Sequence, residues 1–236
     1  MLLQQLSLPM VLSTVMNQKT AIVFGATGLT GRLLLTRLVA DDSYAIVKLF
    51  SRRPSGNKSS KIKEFIGDVL QLENFKNDFT ADEVFCCIGT TSSKTKDRTV
   101  YRAIDFGIPF AASKLAKENN IPTFLVISAL GSNSKSKIFY NRTKGEMEQA
   151  VLNQKIPHTY ILRPSLILGE REKRRIGERV GAAVLKLSTL FLVGRLKKFR
   201  PIEAHCIASA MISLAKLKPD MQIVKIDSIQ EYGSQH

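Results

Sequence analysis

Short hydrophobic runs alternate with longer amphipathic segments along the chain. The runs predict buried β-strands, and the segments between them predict helices that connect parallel strands. The predicted strands are Thr20–Gly25, Ala45–Phe50, Lys61–Ile66, Asp82–Gly89, Thr123–Ser128, Thr159–Arg163 and Gln222–Ile226. The predicted helices are Gly28–Ala40, Leu70–Asp78, Thr99–Glu118, Ile138–Gln154, Arg174–Leu192 and Pro201–Leu217. The pattern therefore predicts an α/β fold with a doubly wound parallel sheet.

The length of 236 residues and the apolar content of 44% suit one sizeable core. We expect a single domain over residues 19–228, with a small C-terminal, substrate-side extension formed by elements within 165–205. Residues 1–18 carry no charged side chain and lack a clear signal-peptide pattern. We expect either a disordered leader or a misassigned start, since Met16 is an alternative first residue. Residues 229–236 are predicted to form a tail. No run reaches the roughly 18 apolar residues of a membrane-spanning helix, and we expect a cytoplasmic protein.

The formal net charge of +15 is unevenly distributed along the chain. Residues 171–200 hold ten Lys and Arg residues against Glu172 and Glu178. Such a segment can contact nucleic acid, an anionic membrane or an acidic partner, or can be a solvated basic face. Its only aromatic residues are Phe191 and Phe199, and no nucleic-acid readout motif is present. We expect a solvated face or a protein-docking surface, and no nucleic-acid partner.

The cysteines do not form a metal-binding or disulfide pattern. Cys86, Cys87 and Cys206 include no CxxC pair, and the three histidines are widely scattered. We therefore expect no metal site. Cys86 and Cys87 fall in a predicted buried strand, where cysteine acts as a small hydrophobic residue.

A glycine-rich turn, Gly25-Ala26-Thr27-Gly28-Leu29-Thr30-Gly31, joins the first predicted strand to the first predicted helix. Backbone N–H groups at a helix start lack intrahelical partners, and the positive end of the helix dipole attracts phosphate. Glycine lets the backbone approach that phosphate closely. The turn predicts a dinucleotide site on a Rossmann-type sheet. Ligands of such sheets bind beyond the carboxyl ends of the strands, which here are Gly25, Ser51, Asp68, Gly89, Ser128 and Arg163.

The second predicted strand ends at Ser51-Arg52-Arg53, without a carboxylate. An acidic residue there binds the ribose 2′-hydroxyl of NAD, whereas arginine pairs with the 2′-phosphate of NADP. The sequence therefore favours NADP(H), and the alternative is that both arginines only solvate a loop. Asp68, followed by Val69, is expected at the adenine end of the cofactor, or as a cap for the segment that begins at Leu70.

Tyr140 and Lys144 share one face of the predicted helix after the fifth strand. A lysine ammonium beside a phenol favours the phenolate and lowers its pKa. Ser128, at the end of the preceding strand, would hydrogen-bond a substrate oxygen while Tyr140 exchanges a proton with it. Tyr44 and Lys48 have the same spacing, but in a predicted strand four residues span about 13 Å, so this pair cannot act together.

The motifs occur in an informative order: GATGLTG after the first strand, CCIGTT after the fourth, Ser128 with Tyr140 and Lys144, and Arg163-Pro164-Ser165 after the sixth. This order resembles the atypical, extended-type short-chain dehydrogenase/reductase superfamily, over about residues 18–226. Within it, the sequences around these motifs resemble the Tat-interacting-protein group and its bacterial oxidoreductase-like relatives.

The resemblance implies a set of cofactor contacts. The implied groups are Thr27, Gly28, Leu29 and Thr30 at the pyrophosphate, Arg52 and Arg53 at the 2′-phosphate, Gly89 and Thr90 at the nicotinamide-side ribose, and the backbone of Pro164, Leu166 and Ile167 at the carboxamide. Mainstream members carry Asn-Asn-Ala-Gly where this chain has Cys87-Ile88-Gly89-Thr90, and no asparagine is evident to complete a proton relay with Lys144. The superfamily also favours a homodimer.

The sequence therefore predicts an NADP(H)-binding oxidoreductase that reduces a small carbonyl compound, whose identity the pattern does not give. Tyr140 would be the acid/base, Lys144 would lower its pKa, and Ser128 would orient the substrate. Two alternatives stay open. One is an NADP(H)-sensing regulatory or assembly protein that docks through residues 171–200 without turnover, and the other is an epimerase or isomerase acting on an anionic substrate.

Overall fold

The computed structural model describes residues 18–91, 93–169 and 200–234. Within these ranges the strands are β1 (Lys19–Phe24), β2 (Tyr44–Ser51), β3 (Ile62–Ile66), β4 (Glu83–Cys86), β5 (Thr123–Ile127), β6 (His158–Leu162), β7 (Ile167–Leu168), β8 (Ile202–Glu203) and β9 (Ile223–Val224). The helices are α1 (Leu29–Ala40), α2 (Arg98–Arg102), α3 (Ile108–Glu118), α4 (Phe139–Leu152), α5 (Ala204–Leu217) and α6 (Ile226–Gly233). A 3-10 turn covers Leu72–Phe75, and a π-helical turn, Ala103–Gly107, joins α2 to α3.

Seven of the described strands form one parallel sheet in the order β3-β2-β1-β4-β5-β6-β9. The α/β doubly wound parallel sheet predicted from the hydrophobic pattern is confirmed. The order reverses between β1 and β4, and in sheets of this kind the ligand crevice lies at the carboxyl ends of the two strands that flank the reversal. Strands β7 and β8 pair separately as a small second sheet.

The central sheet is covered on both faces, which explains why its strands are continuous apolar runs. Side chains alternate along β1, so Ala21 and Val23 join the core on one face while Ile22 and Phe24 join the core on the other. Helices α1, α5 and α6 cover the first face, and α3 and α4 cover the second. Both cores are built from fully buried aliphatic and aromatic side chains, and they hold the strand ends in a fixed arrangement.

Three predicted elements differ from the structure. The predicted helix 70–78 contains only the 3-10 turn, because Asn74, Asn77 and Asp78 favour turns over helix. The predicted helix 99–118 is interrupted by the π-helical turn. The predicted strand 82–89 ends at Cys86, because Cys86 pairs with Phe24, the last residue of β1.

The predicted tail is partly helical. Helix α6 runs through Gly233, because Ile226, Ile229 and Tyr232 recur at helical spacing and pack toward the core. The predicted helix 174–192 and residues 1–17 of the predicted leader lie outside the described residues. In the described ranges, no helix combines the length and the apolar character that crossing a membrane requires.

A buried carboxylate, Glu83, anchors the amino end of the sheet. The Tyr44 hydroxyl donates to Glu83 Oε2 at 2.5 Å, and Lys19 Nζ lies 2.7 Å from Glu83 Oε1. Burial and the charge of Glu83 hold the pKa of Tyr44 well above its usual range. Lys48 instead donates to Asp78 O and Thr80 Oγ1, so the Tyr44–Lys48 pair has no shared chemistry, in agreement with the sequence analysis.

Replacing Tyr44 with Phe is expected to lower the free energy of unfolding by about 1–3 kcal/mol, because the buried Glu83 carboxylate loses a donor that water does not replace. Urea unfolding measures the change. Tyr232→Phe is the matched control, since its half-buried ring packs on the core and no hydrogen bond of its hydroxyl is present among the described residues. Equal stabilities of the two variants would contradict the anchoring role of Glu83.

Candidate functional site

The glycine-rich turn packs tightly against the end of β4. Gly25 has a φ of +74°, a conformation that favours glycine, and a Cβ there would lie 2.8 Å from Cys87 O. Gly28 N donates to Gly25 O at 2.9 Å, which closes the turn. A Cβ on Gly31 would overlap Gly25 O and would lie 2.7 Å from Gly25 C. The turn and the start of α1 therefore require glycine for space as well as for conformation.

The start of α1 is suited to phosphate. Its N-cap residue is Gly28, which has no side chain to satisfy the first backbone N–H groups. Thr27 and Gly28 are exposed on the turn, Leu29 is half-buried, and Thr30 is buried beneath it. The exposed part of the turn thus presents backbone N–H groups and the positive end of the helix dipole.

The two arginines after β2 are exposed. Ser51 Oγ donates to Arg53 O at 2.7 Å, which bends the chain beyond the strand. In the described part of the chain, neither the Arg52 nor the Arg53 guanidinium makes an ion pair or a side-chain hydrogen bond. Both cations are therefore available to an anion at this edge of the sheet.

Asp68 closes a local turn after β3. Its Oδ1 accepts from Leu70 N at 3.0 Å, and the neighbouring Val69 is buried. The expected helix cap is not formed, because the 3-10 turn begins only at Leu72 and its N-cap residue, Gln71, makes no side-chain cap bond. The contact with the adenine end of a cofactor stays a prediction.

A buried ion pair lies at the carboxyl end of β4. Lys144 Nζ, on α4, is 2.9 Å from Asp105 Oδ1, and it also donates to Ile127 O at 3.4 Å. The contact with Asp105 Oδ1 lacks the angles of a hydrogen bond. Asp105 Oδ2 accepts from Thr90 N at 2.8 Å. A Cβ on Gly89 would lie 3.7 Å from Asp105 Oδ1 and 3.8 Å from Lys144 Nζ, so the ion pair borders the predicted nicotinamide end of the crevice.

Asp105 is the functional candidate that the sequence analysis missed. It lies on the π-helical turn and is completely buried. Turns of this kind are rare and occur frequently at functional sites. A usable signal was present, because Asp105 stands among Ile104, Phe106 and Gly107, and an acidic residue in an apolar run is seldom buried without a partner.

Tyr140 lies in the first turn of α4 and is 36% exposed. Its ring is 6.5 Å from that of Tyr101, in an edge-to-face arrangement. Burial raises the pKa of Tyr140, the Lys144 ammonium opposes that rise, and the Asp105 carboxylate adds to it. The net change is upward, so the expectation of a lowered pKa is wrong. Burial outweighs the ammonium, and Asp105 offsets part of its charge.

Ser128 belongs to a second buried network. Its hydroxyl donates to Glu148 Oε1 at 2.5 Å and lies 2.9 Å from Ser132 Oγ. Arg163 Nε donates to Glu148 Oε1 at 2.9 Å, and Arg163 Nη2 pairs with Glu148 Oε2. The structure thus engages Ser128 with Glu148, a residue that the sequence analysis did not select. The contact between Ser128 and a substrate oxygen stays a prediction.

The segment after β6 continues along the carboxyl edge of the sheet. Leu130 N donates to Pro164 O at 2.8 Å, which ties this segment to the loop after β5. Leu166 is 62% exposed, and Ile202 N donates to its carbonyl oxygen at 2.9 Å. Ile167 begins β7. The residues expected at the carboxamide are thus at the correct edge, while residues 170–199 of the expected substrate side lie outside the described ranges.

Cys86 is fully buried in β4, as the hydrophobic pattern predicted, and burial raises the pKa of its thiol to about 11. This thiol is protonated at neutral pH and shielded from solvent.

Among the residues that the structure describes, no three His, Cys, Asp or Glu side chains are grouped so that they could hold a metal ion.

The parallel sheet and the glycine-rich turn between its first strand and helix define a Rossmann-type dinucleotide-binding fold. Residues 25–184 match the NAD(P)H-binding family, and the chain belongs to this family.

Two relatives and one solved structure show how far the similarity extends. The chain is 33% identical over 203 residues to Protein FMP52, mitochondrial, from Candida albicans. This alignment covers 82% of this chain and 86% of the relative. It is 35% identical over 158 residues to Protein FMP52-1, mitochondrial, from Scheffersomyces stipitis. This alignment covers 65% of this chain and 69% of the relative. UDP-glucuronic acid 4-epimerase from Bacillus cereus, solved in complex with NAD, shares the fold with a TM-score of 0.65 at 15% identity, over 88% of this chain and 78% of that chain.

The relatives correct one expectation. Curated relatives from several yeasts carry the word mitochondrial in their names, which contradicts the cytoplasmic location expected from the sequence. That expectation rested on the absence of a recognisable targeting pattern in residues 1–18, and such an absence is weak evidence.

Proposed function

We propose that this protein binds NADP(H) and reduces a small carbonyl compound, with Tyr140 as the proton donor. The observation that carries the proposal is the position of Lys144. Its buried ammonium lies beside Gly89 at the end of β4, on the helix that carries Tyr140 in its first turn. The glycine-rich turn after β1 lies at the same edge of the sheet, since Gly25 packs on Cys87 just beyond β4.

The residues at the crevice fit a dinucleotide. The turn can lie close to β4 and to the start of α1 only because Gly25 and Gly31 have no Cβ. The start of α1 has no side-chain cap, so it offers its N–H groups to a pyrophosphate. Thr27, Gly28, Leu29 and Thr30 would hold that pyrophosphate, while Gly89 and Thr90 would hold the nicotinamide-side ribose. The bound cofactor would supply the hydride.

The residues of the chain would supply the proton and the orientation. A phenol with an ordinary pKa near 10 keeps its proton at neutral pH, and burial raises the pKa of Tyr140 further, so its hydroxyl can donate to a carbonyl oxygen as that oxygen gains charge. Lys144 places a positive charge beside the phenol and stabilises the phenolate that remains. Ser128 would be the second donor to the oxygen, which requires its hydroxyl to release Glu148.

The choice of NADP(H) is supported by Arg52 and Arg53, which are exposed at the end of β2 where no carboxylate stands. Solved proteins with this fold include complexes with NAD, so the fold itself does not distinguish the two cofactors. The distinction depends on these two guanidinium groups and on their pairing with a 2′-phosphate.

Replacing Arg52 and Arg53 together with Ala is expected to weaken NADPH binding about ten- to hundredfold and to leave NADH binding unchanged, because only NADPH carries the 2′-phosphate. Isothermal titration of both nucleotides measures the two affinities. The control variant replaces Lys58 and Lys63, two exposed cations nearby in the sequence, with Ala and removes the same net charge. Equal losses for the two nucleotides would reject the NADP(H) assignment, and no binding of either nucleotide to the wild-type protein would reject the proposed function.

The names of the relatives also support a mitochondrial location for this protein. Subcellular fractionation with protease protection tests that location. Docking through residues 171–200 and the formation of a homodimer stay predictions, and size-exclusion chromatography with light scattering tests the second of them.

A further inference from the structure

We infer that the carbonyl compound reduced at this site carries a carboxylate or a phosphate, and that Arg98 binds this anionic group. The inference rests on the proposed function for the reaction alone. The binding of an oxyanion at Arg98 is a property of the protein itself, and it can be measured without cofactor and without turnover.

Positive charge is concentrated in two segments that follow neighbouring strands of the sheet. Residues 94–102, after β4, and residues 135–142, after β5, together hold seven Lys and Arg residues and one acidic residue, Asp97. The Asp97 carboxylate accepts from Thr99 N at 2.7 Å and from Val100 N at 3.2 Å, so it is occupied by the start of α2. These two short segments therefore carry a large share of the net charge of +15.

Five of these cations form an exposed group, here called the cationic rim, which consists of Lys94, Lys96, Arg98, Lys135 and Lys137. In the described part of the chain, none of their charged groups makes an ion pair or a side-chain hydrogen bond. Arg102 is different, because it pairs with Glu146, and the buried Lys144 is offset by Asp105. An oxyanion that approaches the rim therefore meets positive charge that the described carboxylates do not neutralise.

The rim borders the crevice on two sides. Thr95 stands between the two lysines that follow β4, and its hydroxyl lies 2.8 Å from that of Thr90. Thr90 is one of the residues proposed to hold the nicotinamide-side ribose. On the other side, Lys137 precedes Tyr140 by three positions, and Tyr140 lies in the first turn of α4. The positive charge thus surrounds the place where the carbonyl group would react.

Arg98 is the member of the rim whose guanidinium is held in place. Its Cζ lies 5.2 Å from the centroid of the Phe139 ring, which is a cation–π contact. The Phe139 ring is 5.5 Å from that of Tyr101 in an edge-to-face arrangement, and the Tyr101 ring is 6.5 Å from that of Tyr140. Three neighbouring aromatic rings therefore connect Arg98 to the proposed proton donor.

A guanidinium that rests on a ring keeps the N–H groups at its edge available. Arg98 can therefore bind two oxygens of one carboxylate or phosphate, whereas the lysines of the rim add charge without a fixed direction. A substrate with an oxyanion at one end gains from both effects, and a neutral carbonyl compound of the same size gains from neither. We therefore expect the site to select the anionic compound.

The test compares two aromatic aldehydes of similar size, para-formylbenzoate, which is an anion at neutral pH, and its neutral methyl ester. Binding to the isotope-labelled protein is followed by nuclear magnetic resonance without cofactor, from the arginine Nε–H signals. The anion is expected to bind about tenfold more tightly than the ester and to shift the Arg98 signal. Raising the salt concentration from about 0.1 M to about 1 M is expected to remove most of this preference, because the screening length becomes shorter. Para-formylphenyl phosphate is titrated in a second series, which distinguishes phosphate from carboxylate.

Arg98→Gln is expected to weaken the binding of para-formylbenzoate about tenfold and to leave the binding of the ester unchanged. Arg37→Gln is the matched control, because it removes the same charge from the last turn of α1, at the opposite edge of the sheet. Equal binding of the anions and the ester by the wild-type protein overturns the inference, and so does the absence of binding of either anion. An Arg98→Gln protein that binds the anions as tightly as Arg37→Gln also overturns it.

The two proposals fail separately. Selective anion binding that depends on Arg98, in a protein that does not oxidise NADPH with any of these aldehydes, supports the anion site and rejects the proposed function. Turnover of the methyl ester with the same kcat/KM as para-formylbenzoate supports the proposed function and overturns the inference.

Discussion

Replacing Tyr140 with Phe is expected to lower kcat for carbonyl reduction by about 10²- to 10⁴-fold and to leave the Kd for NADPH unchanged. The substitution removes only the hydroxyl, which is the proton donor in the proposed mechanism. The ring keeps its edge-to-face packing with Tyr101, so the first turn of α4 retains its position. The measurement is steady-state oxidation of NADPH with small aldehydes and ketones, together with an NADPH titration of each protein.

Tyr101→Phe is the matched control, because it removes a neighbouring hydroxyl that donates to Thr90 O and leaves Tyr140 intact. We expect its kcat to stay within a few-fold of the wild-type value. Full turnover by Tyr140→Phe on an identified substrate would reject the proposed mechanism. Product formation without net consumption of NADPH, with cofactor that copurifies, would instead favour the epimerase or isomerase alternative.

The double variant Tyr140→Phe, Lys144→Ala separates an enzyme from a regulatory protein. A regulatory protein that senses NADP(H) is expected to keep both its cofactor affinity and its biological activity in this variant. An enzyme is expected to lose its biological activity together with turnover.

Replacing Gly31 with Ala is expected to lower the free energy of unfolding by about 3 kcal/mol and to abolish measurable NADPH binding. The added Cβ would overlap Gly25 O and would lie 2.7 Å from Gly25 C. Both atoms are backbone atoms of the turn, so they can move only if the turn moves. Because the same turn is proposed to hold the pyrophosphate, stability and cofactor binding are expected to fall together. Urea unfolding and a nucleotide titration measure the two effects.

Gly107→Ala is the control for the loss of a glycine. Gly107 has a helical backbone with a φ of −62°, and the nearest atom to an added Cβ is Arg102 O at 4.0 Å. Alanine there is expected to leave stability unchanged or to raise it by up to about 1 kcal/mol. A Gly31→Ala protein as stable as Gly107→Ala would contradict the close packing of Gly31 against the backbone of Gly25.

Much of the fold could be predicted from the sequence because the strands are buried on both faces. Runs such as Ala21-Ile22-Val23-Phe24 are apolar at every position, since alternate side chains enter the two cores on opposite faces of the sheet. The glycine-rich turn could also be predicted, because its backbone conformation and its close packing admit few other residues. The apolar strands and the glycine-rich turn are both recognised from residues that are adjacent in the sequence.

The extent of several elements could not be predicted. The segment 70–78 has helical spacing of its apolar residues, but local side-chain bonds, such as the one that Leu70 N donates to Asp68 Oδ1, give it turns instead. Helix α6 extends through residues that a sequence reading assigned to a tail, because its apolar face is buried against a distant part of the chain. Contacts of this kind override weak local preferences.

The sequence by itself determined the class of fold, the glycine-rich turn at the carboxyl end of β1 and the presence of Tyr140 and Lys144 on one helix. Only the tertiary structure decided the charge balance of the site. Asp105, on the π-helical turn, forms an ion pair with Lys144 on α4. Glu148 accepts a hydrogen bond from the hydroxyl of Ser128, which lies 20 positions earlier in the chain. The proton affinity of Tyr140 follows from these contacts and from burial, which depend on distances through space that no local pattern of residues encodes.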